Sequence, residues 1–172
     1  MRPQIQPTNV EMLLRDDDFI VSKTDTKGVI NYCNRIFMEF AKYEEQELLG
    51  QQHNIVRHPD MPRCIFKLLW STVQDKKEIN AYVKNMSKDG SFYWVDANVT
   101  PVMDDKGVIQ GYYSVRRKPD PKKLEKVKKM YNLLLSEEKK YGSKDGLIAS
   151  EKLLNKILND EGKTYEEFIF SL

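Results

Sequence analysis

Cysteine and histidine each occur only twice in the 172 residues, as Cys33 and Cys64 and as His53 and His58. So few thiols exclude a disulfide scaffold and a zinc site built on cysteine pairs. No apolar run approaches the roughly 20 residues that span a bilayer, so direct membrane insertion is not expected. The opening stretch MRPQIQPTNVEMLLRDDD lacks the apolar core of a secretory leader, which points to a cytoplasmic protein. An excess of one charge is missing too. The 28 basic and 26 acidic residues leave a net charge of +2, which argues against a dedicated nucleic-acid binder. A Gly-rich phosphate loop, a nucleophile elbow and a His-rich metal motif are all absent, so no enzymatic activity is expected.

What is present reads as one compact domain with extensions. Residues 1–17 are polar, hold Pro3 and Pro7, and read as a flexible arm with a short helix over 10–15. Residues 18–120 alternate strand-like runs and short helices. A β-branched run from Phe19 to Thr24, a Lys27-Gly28 turn and a second run from Val29 predict a hairpin. Asn34 caps a short helix, Glu44–Glu47 gives another, and Gly50 stops it. Pro62 opens a longer helix with Ile65, Phe66, Leu69 and Val73 on its apolar face. Three strands follow over residues 79–86, 92–103 and 108–116, joined by turns at Asp89-Gly90 and at Gly107. The order predicts an α+β domain, a five-stranded antiparallel sheet with helices on one face. The gap beneath those helices would suit a flat ligand. Residues 121–172 form a helical extension. Leu124, Val127, Tyr131 and Leu134 make one helical stripe, and Thr164 with Glu167 has the spacing of a capping box.

The run Gly50-Gln51-Gln52-His53-Asn54-Ile55-Val56-Arg57-His58-Pro59-Asp60-Met61-Pro62 resembles the corresponding stretch of PAS domains in the bacterial aerotaxis receptor (Aer) family. Gly28 to Asn34, Tyr43 to Gly50, Val83-Lys84-Asn85, Tyr93-Trp94-Val95 and Gly111-Tyr112 extend the likeness over about residues 18–120. The resemblance implies a PAS fold that binds FAD non-covalently and senses redox or energy state. With only helices after the domain, the chain is similar to soluble energy-taxis proteins of the CetB type. That implies signalling through a separate membrane-bound chemoreceptor-like partner, which would also supply any membrane association.

A flavin needs an apolar slot, polar partners at its ring edge and positive charge for its phosphates. Arg57 and His58 offer charge and donors, Arg57 in bidentate fashion. The alternative for Arg57 is a surface ion pair with Asp60. Asp60 also suits a cap on the helix after Pro62, fixing the loop that carries Arg57 and His58. Trp70 offers a stacking surface, with core packing as the alternative. Asn34 and Asn85 are amides that suit a ring edge. Strand alternation lets only one of Tyr93 and Trp94 face the slot, and Trp94 is the preferred candidate. The competing readings are a haem gas sensor with His58 or His53 as axial ligand, and a cofactor-free interaction module. In light-sensing flavin domains of this fold a reactive cysteine lies three residues after the glycine matching Gly50. Here His53 stands there, which argues against adduct photochemistry, and Cys33 and Cys64 read as buried thiols. The segment 116–140 carries ten Lys/Arg against four Asp/Glu. It reads as a solvated helix face, a docking surface for an acidic receptor helix, or a homodimer contact.

Overall fold

The computed structural model describes residues 5–172. Five antiparallel strands, β1 (Ile20–Thr24), β2 (Ile30–Cys33), β3 (Ile79–Met86), β4 (Phe92–Met103) and β5 (Ile109–Arg117), form one sheet in the order β2-β1-β5-β4-β3. Its tight turns share a device. Asp25 accepts from the backbone N–H groups of Lys27 and Val29, and Asp104 accepts from those of Lys106 and Val108. A short carboxylate thus replaces backbone partners where the chain reverses.

The segment between β2 and β3 supplies α1 (Arg35–Ala41), α2 (Glu45–Leu48), a 3-10 turn (His53–Val56) and α3 (Arg63–Gln74). Asn34 caps α1 as expected, accepting from Phe37 N at 3.0 Å. These helices cover one sheet face, where Phe37, Leu48, Ile65 and Val73 are buried with Ile20, Ala81 and Val95.

The expected cap on α3 is not made by Asp60, which lies 55% exposed and faces Lys84 at 3.4 Å. Pro62 is the capping position and offers no side-chain acceptor. The carboxylate comes instead from Glu138, 74 residues further on, which accepts from Cys64 N at 3.2 Å. A buried carboxylate there answers both the unpaired N–H groups and the positive end of the helix. Glu138 also takes Arg63 Nε at 3.1 Å and the Ser150 hydroxyl at 3.0 Å.

The extension is α4 (Pro121–Asp160) and α5 (Tyr165–Ser171), the latter with its capping box as expected. The stripe Leu124, Val127, Tyr131 and Leu134 is buried. It packs on the sheet face opposite the short helices, with Tyr131 against Trp94 and its hydroxyl donating to Tyr82 O at 2.7 Å. Helix α4 breaks at Gly142, whose φ of 74° and ψ of −167° reverse the chain. That conformation is open to glycine at little cost. The second half returns alongside the first, bringing Ser150 to Glu138 and Glu151 to Lys67. Replacing Glu138 by alanine is expected to cost about 2 kcal/mol, the loss of a helix cap and of partners for buried donors. The measurement is the guanidinium midpoint, accompanied by faster proteolysis around Gly142. An unchanged midpoint would show the cap to be idle.

The arm is neither helical nor loose in its described part, and residues 1–4, with Pro3, lie outside the described residues. Residues 8–12 run extended along the start of β4. Thr8 N donates to Gly90 O at 2.8 Å, Phe92 N to Val10 O at 2.9 Å and Met12 N to Phe92 O at 2.7 Å. Leu14 is buried. A Cβ on Gly90 would lie 2.2 Å from the carbonyl of Gln6, so the close approach of the arm itself requires glycine there.

Candidate functional site

Between α3, the 3-10 turn and the sheet lies a cleft of about 380 Å³, within the range of small-molecule sites. Its position follows from the sequence. Helix α3 turns Phe66 and Trp70 toward the sheet, and the sheet answers with small or polar residues, Val83, Asn85, Ala97 and Ser114. Large side chains on one wall facing small ones on the other leave a slot rather than a filled core. Trp70 stands edge-on to Tyr112, ring centroids 5.3 Å apart.

Four cations line this cleft: Arg57, Arg63, Lys67 and Arg116. Lys67 and Arg63 are engaged at the rim with Glu151 and Glu138. Arg57 follows the 3-10 turn and pairs its backbone with Asn85 across an isolated bridge. Its guanidinium lies 4.1 Å from the centre of the Phe66 ring, and it makes no ion pair with Asp60 or any other acid among the described residues. Burial pulls its pKa below the ordinary arginine value. Arg116 projects from β5 into the floor and is 2% exposed. Its Nη2 donates to Ser22 Oγ at 2.5 Å and its Nη1 approaches His53 Nε2 at 3.3 Å. His53 also stacks on Phe37 at 5.6 Å. Burial, reinforced by Arg116, pushes the His53 pKa down to about 3, so the imidazole is neutral, and its Nε2 lies 3.0 Å from Ser22 Oγ as well as 3.3 Å from Arg116.

Of the residues singled out from the sequence, the fold brings Arg57, Trp70 and Asn85 together in the cleft. Asn85 is buried, and Lys84 beside it faces the other way, as alternation requires. Four others stand apart. The Asn34 side chain is fully used in structure, accepting from Val21 N and Phe37 N and donating to Phe19 O. His58 is buried outside the cleft, edge-on to Phe92, with its Nδ1 accepting from Asp60 N at 3.0 Å. Burial and Lys84 push its pKa down to about 4. Asp60 lies on the surface beside it. Trp94 faces the opposite side of the sheet and packs on Tyr131, while Tyr93 takes the inner face against Phe40. Cys33 and Cys64 are both buried, and burial pushes the Cys64 thiol up to about 11.

A five-stranded antiparallel sheet with a helix-covered slot is the frame of one fold family, and its signature, described as the PAS fold, matches residues 30–116. The chain belongs to the PAS fold family. This PAS domain is 35% identical over 144 residues to the aerotaxis receptor of Escherichia coli (strain K12), which covers 84% of this chain and 28% of the receptor. It is 29% identical over 97 residues to a nitrogen fixation regulatory protein of Klebsiella pneumoniae, covering 56% of this chain and 20% of that one. The chain thus spans less than a third of either relative. Among solved structures, the dark state of the blue-light photoreceptor Aureochrome1 LOV shares the fold with a TM-score of 0.56 at 21% identity. That match covers 67% of this chain and 84% of the other. A PAS domain from Colwellia psychrerythraea does so with a TM-score of 0.54 at 20% identity, covering 59% and 86%.

Arg63, Lys67 and Arg116 line the cleft of this PAS domain although the sequence does not single them out, and His53 is a candidate there only as an alternative haem ligand. From the sequence, His53 also stands at the photoreactive-cysteine position, and Arg116 belongs to the last strand and to the basic stretch 116–140. The available signal for Arg116 was its period: Tyr112, Ser114 and Arg116 share one face of β5, and their register partners Ala97 and Val99 face the core.

Proposed function

We propose that this PAS domain holds FAD in the cleft and serves as a redox or energy sensor for aerotaxis, reporting to a membrane-bound chemoreceptor-like partner. The cleft's own chemistry carries the reading. The aromatic wall of Phe66 and Trp70 suits a flat ring, and Asn85, buried on the floor, offers an amide to its edge. Arg57, Arg63 and Lys67 supply rim charge for a diphosphate. The guanidinium of Arg116, buried with its Nε lacking an acceptor, is an orphaned polar group that a ring carbonyl would satisfy. A bound flavin would supply reversible electron storage. Around it the chain's residues bind, orient and exclude water; no turnover of substrate is proposed. The likeness to an aerotaxis receptor supports the taxis role, and no helix among the described residues is long and apolar enough to cross a membrane.

The test is the visible spectrum of the purified protein and the identity of what heat releases. Flavin bands with FAD in the supernatant are expected. A Soret band would transfer the site to a histidine and a gas ligand, and a colourless protein that cannot be reconstituted would leave an interaction module. Arg57→Ala is expected to weaken FAD binding by about tenfold or more, the worth of one charge-assisted contact. Equilibrium dialysis measures it, and an unchanged dissociation constant would remove Arg57 from the site.

A further inference from the structure

The cations of the cleft differ in what surrounds them. The Lys67 side chain is 56% exposed and bonded to Glu151, and Arg63 is 33% exposed and bonded to Glu138. Arg57 is half-buried on an aromatic ring. Arg116 alone combines near-complete burial with neutral neighbours on every side. From β1 it meets the Ser22 hydroxyl, from the 3-10 turn the neutral His53, from α1 the Phe37 ring at 4.7 Å, and on β4 the phenol of Tyr93. No carboxylate pairs with it among the described residues, and its Nε has no acceptor. Burial brings its pKa down to about 10, which leaves it charged at neutral pH.

A buried cation held only by neutral acceptors is unfavourable for folding. It makes a positive hole at the floor of a slot. A diphosphate, strongly hydrated, fits the exposed rim cations better than this floor. The floor is lined by Ser22 and Asn85, whose polar groups match the edge of a flat ring, and the Phe37 ring packs against the guanidinium.

We infer that Arg116 is a charge-selective receptor for the carbonyl edge of the flavin ring, gripping that edge more tightly when it is negatively charged. This rests on the flavin reading above. Uptake of two electrons from an external reductant and one proton from water leaves the ring with one net negative charge, and protein charge near that edge decides how well it is tolerated. Arg116 provides this charge without moving, because Ser22 and His53 already fix its two Nη atoms.

The experiment measures dissociation constants of oxidised FAD and dithionite-reduced FAD, under anaerobic conditions, for the full chain and its variants. The wild type is expected to prefer the reduced form by about tenfold or more. Arg116→Gln is expected to abolish the preference while changing oxidised FAD binding less, and Arg116→Lys to keep part of it. Should Arg116→Gln not fold, Ser22→Ala decides: it strips Nη2 of its neutral acceptor and is expected to sharpen the preference. A wild type with equal constants, or an Arg116→Gln or Ser22→Ala variant with the preference unchanged, overturns the assignment while leaving flavin binding intact. A wild type that holds neither form overturns the flavin reading, and this inference with it.

Discussion

Between pH 7 and pH 5 the protein is expected to lose about 3–4 kcal/mol of stability, through two histidines alone. His58 is buried and His53 half-buried, and both are neutral, with pKa values pushed from 6.5 down to about 4 and about 3. The unfolded chain takes up a proton at each near pH 6.5, and the folded chain does not. Their contribution is therefore complete above pH 6.5 and is lost as pH falls toward the folded values. Each imidazole gives a slope of about 1.4 kcal/mol per pH unit in that window. Their reasons for staying neutral differ. His58 accepts from Asp60 N and lies beside Lys84, so protonation would both break a bond and add a like charge. His53 faces the guanidinium of Arg116. Urea midpoints across this range are the measurement, and His58→Gln should halve the slope. A midpoint that does not move between pH 7 and pH 5 would show that neither ring is held neutral in the fold.

Tyr131→Ala is expected to cost about 3–5 kcal/mol, the range for removing a large buried aromatic. The residue is 1% exposed, lies against Trp94 and donates to the Tyr82 carbonyl. It therefore joins the extension to the back of the sheet at one point, through ring packing and one hydrogen bond. Tyr131→Phe separates the two: it keeps the packing and should cost only about 1 kcal/mol. Denaturant unfolding reads both. Equal costs would mean that the hydroxyl, not the ring, secures the helix. Hydrogen exchange in α4 of the alanine variant should rise well before exchange in β4 does.

The sheet was legible in the sequence because its signals are local. Strands β3 and β4 have the expected bounds, since β-branched and aromatic runs end at turn residues a few positions apart. The capping box of α5 lies within four residues and was read correctly. What escaped depends on partners far along the chain. The arm is held by backbone groups of Gly90 and Phe92, which leave no side-chain signature at residues 8–12. The cap of α3 sits in another helix, where Glu138 looks like one more acid on a charged surface. The choice between Tyr93 and Trp94 failed for a related reason. Alternation separates two faces but does not say which one holds the slot, and here α4 buries Trp94 and Tyr82 on the back face while the short helices cover the front. Arg57, Trp70 and Asn85 line one cleft. His58, Asp60, Asn34 and Trp94 each answer to a structural need of their own.

Arg63 stands in two places at once. One side of it lines the cleft; the other bonds Glu138 and the carbonyls of Gly142 and Ser143 at the reversal of α4. Its guanidinium has a fixed number of donors. Three of its five N–H groups are engaged on the hairpin side, so an anion that draws the guanidinium toward the cleft would stretch those three bonds. Occupancy of the slot and attachment of the extension are then coupled equilibria, and thermodynamic reciprocity makes the coupling equal in both directions. Pulling the extension away would change the affinity of the slot by the same factor by which filling the slot changes the hold on the extension.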